Sequence, residues 1–162
     1  MENLRSATLV FLLQKSDECI SHVCLAMKKQ GFGSNRWNGA GGKVEAGETI
    51  EEAAKREAKE EIGVTVTNMQ KVAELSFFFP HNAAWNQCVH AYLSFDWTGV
   101  PVESNEMKPA WFPIAEIPYG SMWSSDKFWL PAVLAGKLVK ANITFGEKDI
   151  VQKHEVNFVT EL

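Results

Sequence analysis

The chain has 162 residues, 46% of them hydrophobic and 22% charged, with a formal net charge of -4; this composition fills a hydrophobic core and excludes a disordered or fibrous chain. Its 16 Lys plus Arg stand against 20 Asp plus Glu, so it lacks the basic excess that a nucleic-acid polymer or an anionic membrane calls for, though a divalent cation could still bridge it to a small anion. Cys19, Cys24 and Cys88 form no CxxC pair and are odd in number, which argues against a disulfide scaffold or structural zinc and makes reducing cytosol the expected location, with nuclear and mitochondrial fractions left open.

Along the chain, ATLVFLL (Ala7 to Leu13) and HVCLAMK (His22 to Lys28) read as two strands joined by the polar turn KSDE. The apolar run at the start is broken by Gln14 and is read as a first strand, not as a signal peptide or membrane span. Lys29 to Gly47 holds six of the eleven glycines and reads as a loop around a short extended piece. Thr49 precedes Glu52 by the capping-box spacing and Gly63 supplies a stop, so a helix is expected from about Thr49 to Ile62. KVAELSFFF and QCVHAYLSF are strand-like, and KPAWFPI is a short strand whose prolines suit an edge. A second helix is expected over Asp126 to Leu138, although Pro131 fits best within a first turn. ANITFG and EVNFVTE close the chain as strands. Without a repeat or linker, the expectation is one α/β domain over residues 1–162 with a mixed sheet.

The first helix raises the functional question. Arg56 to Glu61, REAKEE, gathers three carboxylates, and like charges three or four residues apart repel. At 100° per residue Glu57 and Glu61 fall within about 20° of Ile50, on the apolar side, with Glu60 beside them. A solvated face of i,i+4 pairs explains Glu51, Glu52, Lys55, Arg56 and Lys59, but not acids that face inward. Clustered carboxylates on an inward edge suit Mg²⁺ or Mn²⁺, which take oxygen ligands, and Arg56 is then better placed to orient them than to bind substrate.

GKVEAGETIEEAAKREAKEEIGV, Gly42 to Val64, resembles the Nudix hydrolase box, G-x5-E-x7-R-E-U-x-E-E-x-G-U. Gly42, Glu48, Arg56, Glu57, Glu60, Glu61, Gly63 and Val64 match it at the required spacing, whereas Ala58 is smaller than the usual bulky residue. The resemblance implies an α/β/α sandwich around a mixed β-sheet and water attack on phosphorus in a nucleoside diphosphate derivative. It also implies Glu57, Glu60 and Glu61 as metal ligands with Gly42 beside them, Glu48 in support, and a base from the box or from Glu106. Lys28 and Lys43 could meet the polyphosphate or be ordinary solvated lysines.

Beyond the box, the stretches MKKQGFGSNRWNG and PVESNEMKPAWF and the pairs Met122-Trp123 and Phe128-Trp129 resemble the animal oxidised-purine nucleoside triphosphatases of the Nudix family. The resemblance implies a base pocket with Asn38 on the purine edge, Trp123 stacking on the ring, and Phe32, Phe77 and Phe79 as apolar walls. Each has a plainer alternative, a turn for Asn38 and core packing for the aromatics. Where those enzymes carry paired aspartates, this chain has Ser125-Asp126. A lone Asp126 is expected to stay ionised unless buried, weakening any recognition that needs a protonated acid, with Ser125 offering a hydroxyl instead. Oxidised guanine is then expected to be kept better than oxidised adenine. Other readings are a Nudix hydrolase of ADP-ribose or a dinucleotide, and a catalytically silent nucleotide-binding module. A monomer acting on a small nucleotide, with no nucleic-acid polymer and no membrane, completes the expectation.

Overall fold

A computed structural model describes residues 4–162, so the first three residues of the expected domain lie outside it. Strands β1 (Arg5–Ser16) and β2 (Cys19–Lys28) form a hairpin, turned by Asp17 and Glu18 at positive φ. The glycine-rich stretch then contributes a two-residue strand, β3 (Trp37–Asn38), before helix α1 (Ile50–Ile62). The order continues through β4 (Thr65–Phe78), β5 (Gln87–Thr98), β6 (Met107–Pro113), α2 (Asp126–Leu134), β7 (Leu138–Phe145) and β8 (Val151–Val159). The sheet runs β3-β2-β1-β5-β4-β7-β8, with β6 paired to β2. It is mixed: β1 lies parallel to β5 and β4 to β7, while the other pairings are antiparallel.

Alternation along β1 divides the core. Phe11 and Leu13 point to the face that holds Trp129, Leu130 and Val133 of α2, whereas Val10 and Leu12 point to the face that holds Ala54, Ala58 and Ile62 of α1. The two helices therefore cover opposite faces, the expected α/β/α sandwich. Ala58 sits fully buried there, so the small residue in the box lets α1 approach the sheet closely. Among the described residues no helix is long and apolar enough to cross a membrane.

Helix α1 begins and ends where its local chemistry dictates. The Thr49 hydroxyl accepts from the Glu52 N–H while the Glu52 carboxylate accepts from the Thr49 N–H, and Gly63 closes the helix at φ 75. Two other expectations shift. Strand β4 starts at Thr65 and not near Lys71, because register shifts along its pairing with β5 break the alternation that would have marked it. Helix α2 stops at Leu134, since Gly136 turns the chain at φ 94 and Leu138 already belongs to β7. Pro131 lies inside α2, beyond its first turn; burial of Trp129, Leu130 and Val133 around it, roughly 1.5–3 kcal/mol for each large apolar side chain, offsets the lost N–H. The prolines of β6 are tolerated because that strand pairs to β2 at the margin of the sheet.

Candidate active site

The glycine-rich loop runs antiparallel along β1. Val10 and Ala40 exchange backbone hydrogen bonds, the Thr8 N–H donates to the Gly42 carbonyl at 2.8 Å, and the Val44 N–H donates to Ser6 at 3.0 Å. Contact is close enough that a Cβ on Gly41 would overlap the Thr8 carbonyl oxygen, and one on Gly42 would sit 2.6 Å from the Glu57 carboxyl group. The box glycine is thus a notch that admits the Glu57 carboxylate. The Gly42 carbonyl, a candidate beside the metal in the sequence reading, is engaged by the Thr8 N–H and hydroxyl.

Arg56 ties the loop to the helix. Its guanidinium donates to both Glu48 oxygens at 2.7 and 3.0 Å, to the Lys43 carbonyl at 3.1 Å, to Glu57 at 2.9 Å and to Glu60 at 3.2 Å. The bidentate pair holds Glu48 down at a pKa of about 2 and stabilises the charged guanidinium in turn. With these donors engaged within the motif, Arg56 positions carboxylates.

Those carboxylates divide by depth. Glu61 is 4% exposed and accepts from the Gly41 N–H at 3.1 Å. Burial, then the charges of Glu57 and Glu106, push its pKa up to about 8 despite that hydrogen bond. Glu57 is largely buried beside it. Glu60 instead lies in solvent against Arg56 and is not among the lining residues of the cleft. The structure therefore brings Glu57, Glu61 and, from the segment before β6, Glu106 into one cleft, and leaves Glu60 on its shoulder.

The cleft is a cavity of about 540 Å³ that also holds Lys28 and Lys43. Its other end is aromatic. Trp123, Phe32, Phe77 and Phe79 line it together with Asn38 and Asp126. Phe32 packs on Trp123 and Phe79 with centroids 5.1 and 5.7 Å apart, and Phe79 stacks on Phe145 at 4.8 Å. Phe77 and Phe79 thus serve core and pocket at once. Asn38 Oδ1 accepts from the Gly39 N–H at 2.9 Å, which leaves its amide N–H groups for a ligand.

Asp126 is the buried case that the sequence reading set apart from an ionised acid. It is 3% exposed; Oδ1 accepts from Trp129 Nε1 at 3.1 Å and Oδ2 has no hydrogen-bond partner among the described residues. Burial raises its pKa to about 7, outweighing the Trp129 hydrogen bond that favours the carboxylate. A single acid, without a paired aspartate, is thereby held about half protonated near pH 7. Ser125, expected to offer its hydroxyl to the substrate, is fully buried, its hydroxyl unpartnered among the described residues, and it does not line the cavity.

Sequence reasoning missed Thr8, Gln30, Arg36, Gln87 and Met107, which also line the cavity. Gln87 could have been found, since period-two alternation in β5 puts it on the face of Val89 and Ala91. Arg36 gave no such signal.

The donor set suits a hard divalent cation. Glu57 and Glu61 present carboxylate oxygens in one cleft, where the Glu57 charge acts on Glu61, while the described residues hold no ready-made cluster of three or more His, Cys, Asp or Glu ligands. Water and phosphate oxygens would complete such a shell.

Comparison with known proteins finds a domain family, full-length relatives and a shared fold. The model of the NUDIX domain matches residues 3–133. The chain is 40% identical to the oxidized purine nucleoside triphosphate hydrolase of Danio rerio over 155 residues, 96% of each chain, and 40% identical to the Mus musculus protein of the same name over 159 residues, 98% of each. A crystal structure of a MutT protein from Bacillus halodurans superposes with a TM-score of 0.81 at 24% identity, covering 95% of this chain and 98% of that one, which speaks to the fold.

Proposed function

The chain belongs to the Nudix family, and on that premise we propose that it hydrolyses oxidised purine nucleoside triphosphates of the 8-oxo-dGTP type to the monophosphate and pyrophosphate, removing damaged nucleotides from the precursor pool. The observation that carries this reading is the single cavity that joins the Glu57–Glu61–Glu106 end to the Trp123–Asn38–Asp126 end, so one nucleotide can span both. The names of the relatives from Danio rerio and Mus musculus support the substrate class.

In this reading the purine stacks on Trp123, with the Asn38 amide and Asp126 Oδ2 meeting its edge. Near pH 7 the Asp126 carboxyl can present either a proton or a lone pair, so one acid serves a base edge that offers an acceptor or a donor. Lys28 and Lys43 offset phosphate charge, and Arg56 keeps Glu57 in place. The exposed Glu106 carboxylate takes the proton of the attacking water. Nudix hydrolases use divalent metal ions; here Glu57 and Glu61 would hold Mg²⁺, with Mn²⁺ suited to the same oxygens. The ion, when bound, neutralises phosphate charge and acidifies water. A monomer in reducing cytosol is part of the proposal, drawn from an odd number of cysteines without CxxC spacing.

A panel of oxidised and normal purine nucleoside triphosphates, ADP-ribose and dinucleotides, hydrolysed with Mg²⁺ in ¹⁸O-water, tests the assignment. The expected result is preferred turnover of 8-oxo-dGTP with pyrophosphate as the leaving product. Preferred turnover of ADP-ribose or a dinucleotide, or release of inorganic phosphate, would replace it.

A further inference from the structure

The Trp123 wall is braced from a distant part of the chain. The Arg36 guanidinium lies over the indole, 4.3 Å from the ring centroid, and its Nη2 donates to Asp149 Oδ2 at 3.2 Å. Asp149 lies in the turn between β7 and β8, where Lys148 and Asp149 both take left-handed backbone conformations, φ 60 and 58. Side chains with a Cβ seldom adopt that region, and they persist there when their surroundings demand it. A second tie fixes the same turn to the neighbour of the tryptophan: the Ser124 hydroxyl donates to the Asp149 carbonyl at 3.0 Å and accepts from the Val151 N–H at 3.1 Å. On its other contacts the ring meets Gly33, where a Cβ would stand 3.1 Å from Cζ2, and the edge of Phe145 at 5.5 Å. Arg36 is also joined to the base end through its backbone, since its carbonyl accepts from the Lys28 N–H at 3.2 Å, two residues before Asn38.

We propose that Arg36 is a positioning residue: anchored by Asp149, its guanidinium fixes the plane of the Trp123 ring and so sets how tightly the purine is gripped. The inference rests on the reading of Trp123 as the stacking wall. Chemistry favours arginine in this place, because a planar guanidinium can lie flat on an indole while its edge pairs with a carboxylate. Lysine could keep the ion pair but not the flat contact. Both groups are largely shielded, the Arg36 side chain 27% and the Asp149 side chain 21% exposed, so salt screens the pair less than a fully exposed one.

The test is steady-state hydrolysis of 8-oxo-dGTP by the full chain with Mg²⁺, in R36Q, R36K, D149N, W123A and the double variant R36Q/W123A. Expected are a rise in KM of about five- to tenfold in R36Q and in D149N, from the lost cation–π contact and its anchor, with kcat held within about twofold. R36K should recover less than half of that loss. W123A should raise KM further, and R36Q/W123A should be no worse than W123A, because a residue acting through the indole has nothing left to act on. If W123A raises KM while R36Q and D149N do not, the positioning role is wrong and the stacking reading stands. If the double variant shows the full sum of both losses, Arg36 touches the substrate directly and the proposal fails. If W123A leaves KM unchanged, the stacking reading fails and takes the inference with it.

Discussion

Replacing Asp126 by Asn removes one titration while nearly preserving shape. In the folded chain the Asp126 pKa rises from its ordinary value of 3.8 to about 7, chiefly through burial. Between those values the folded state keeps a proton that the unfolded state has released. The stability this acid contributes is therefore fully present below its unfolded pKa of 3.8 and is lost as pH rises through about 7. At 1.36 kcal/mol for each pH unit, the gap corresponds to a loss on the order of 4 kcal/mol across that window. Urea unfolding of wild type and D126N at a series of pH values measures it, because the other titrating groups cancel in the difference. The stability of D126N relative to wild type should climb steadily from about pH 4 to about pH 7 and then level off. Parallel curves over that window would show that Asp126 is ionised throughout, and the account of a lone acid held near neutrality would be wrong.

Other outcomes follow from the loop–helix motif. G42A places a Cβ 2.6 Å from the Glu57 carboxyl; it should lower kcat about a hundredfold in a turnover assay by displacing that carboxylate, which depends on sub-ångström placement. R56Q removes the guanidinium that holds Glu48, Glu57 and the Lys43 carbonyl. It should lower kcat about a hundredfold by loosening the Glu57 carboxylate, with only a modest loss of stability in urea unfolding, since the network lies at the surface. Mg²⁺ at a hundred times its Kd should stabilise wild type by about 2.7 kcal/mol, measured by thermal unfolding with and without chelator. The same addition should leave an E57Q/E61Q variant unmoved.

Legibility in the sequence followed the range of the interactions. Helix α1 was readable almost to the residue because Thr49, Glu52 and Gly63 act within one turn of its ends. Its inward acids Glu57 and Glu61 were readable from helical periodicity and the burial of Glu61 follows it, whereas Glu60, expected beside them as a metal ligand, lies in solvent against Arg56, because the long Arg56 side chain draws it away from the cleft. The aromatic end was reached through resemblance, and the structure shows why periodicity alone left it open: Phe77 and Phe79 line the cavity while also packing on Phe145. The burial of Asp126 was hidden because it depends on how α2 and Trp129 seat on the sheet. The Arg36–Asp149 pair was hidden for the same reason, since it joins residues 113 positions apart. Gly41 looked like one glycine among several, and only the course of the loop along Thr8 shows that no side chain fits there.

The central claim is that the carboxylates late in α1 and the aromatic pocket act on one and the same nucleotide. Turnover of 8-oxo-dGTP and dGTP with Mg²⁺, followed by pyrophosphate release in wild type and E57Q, tests it most directly. The account expects the oxidised nucleotide to be preferred and E57Q to lose at least about a hundredfold in kcat on both. Undiminished pyrophosphate release by E57Q, or no release from either nucleotide by wild type, would contradict it.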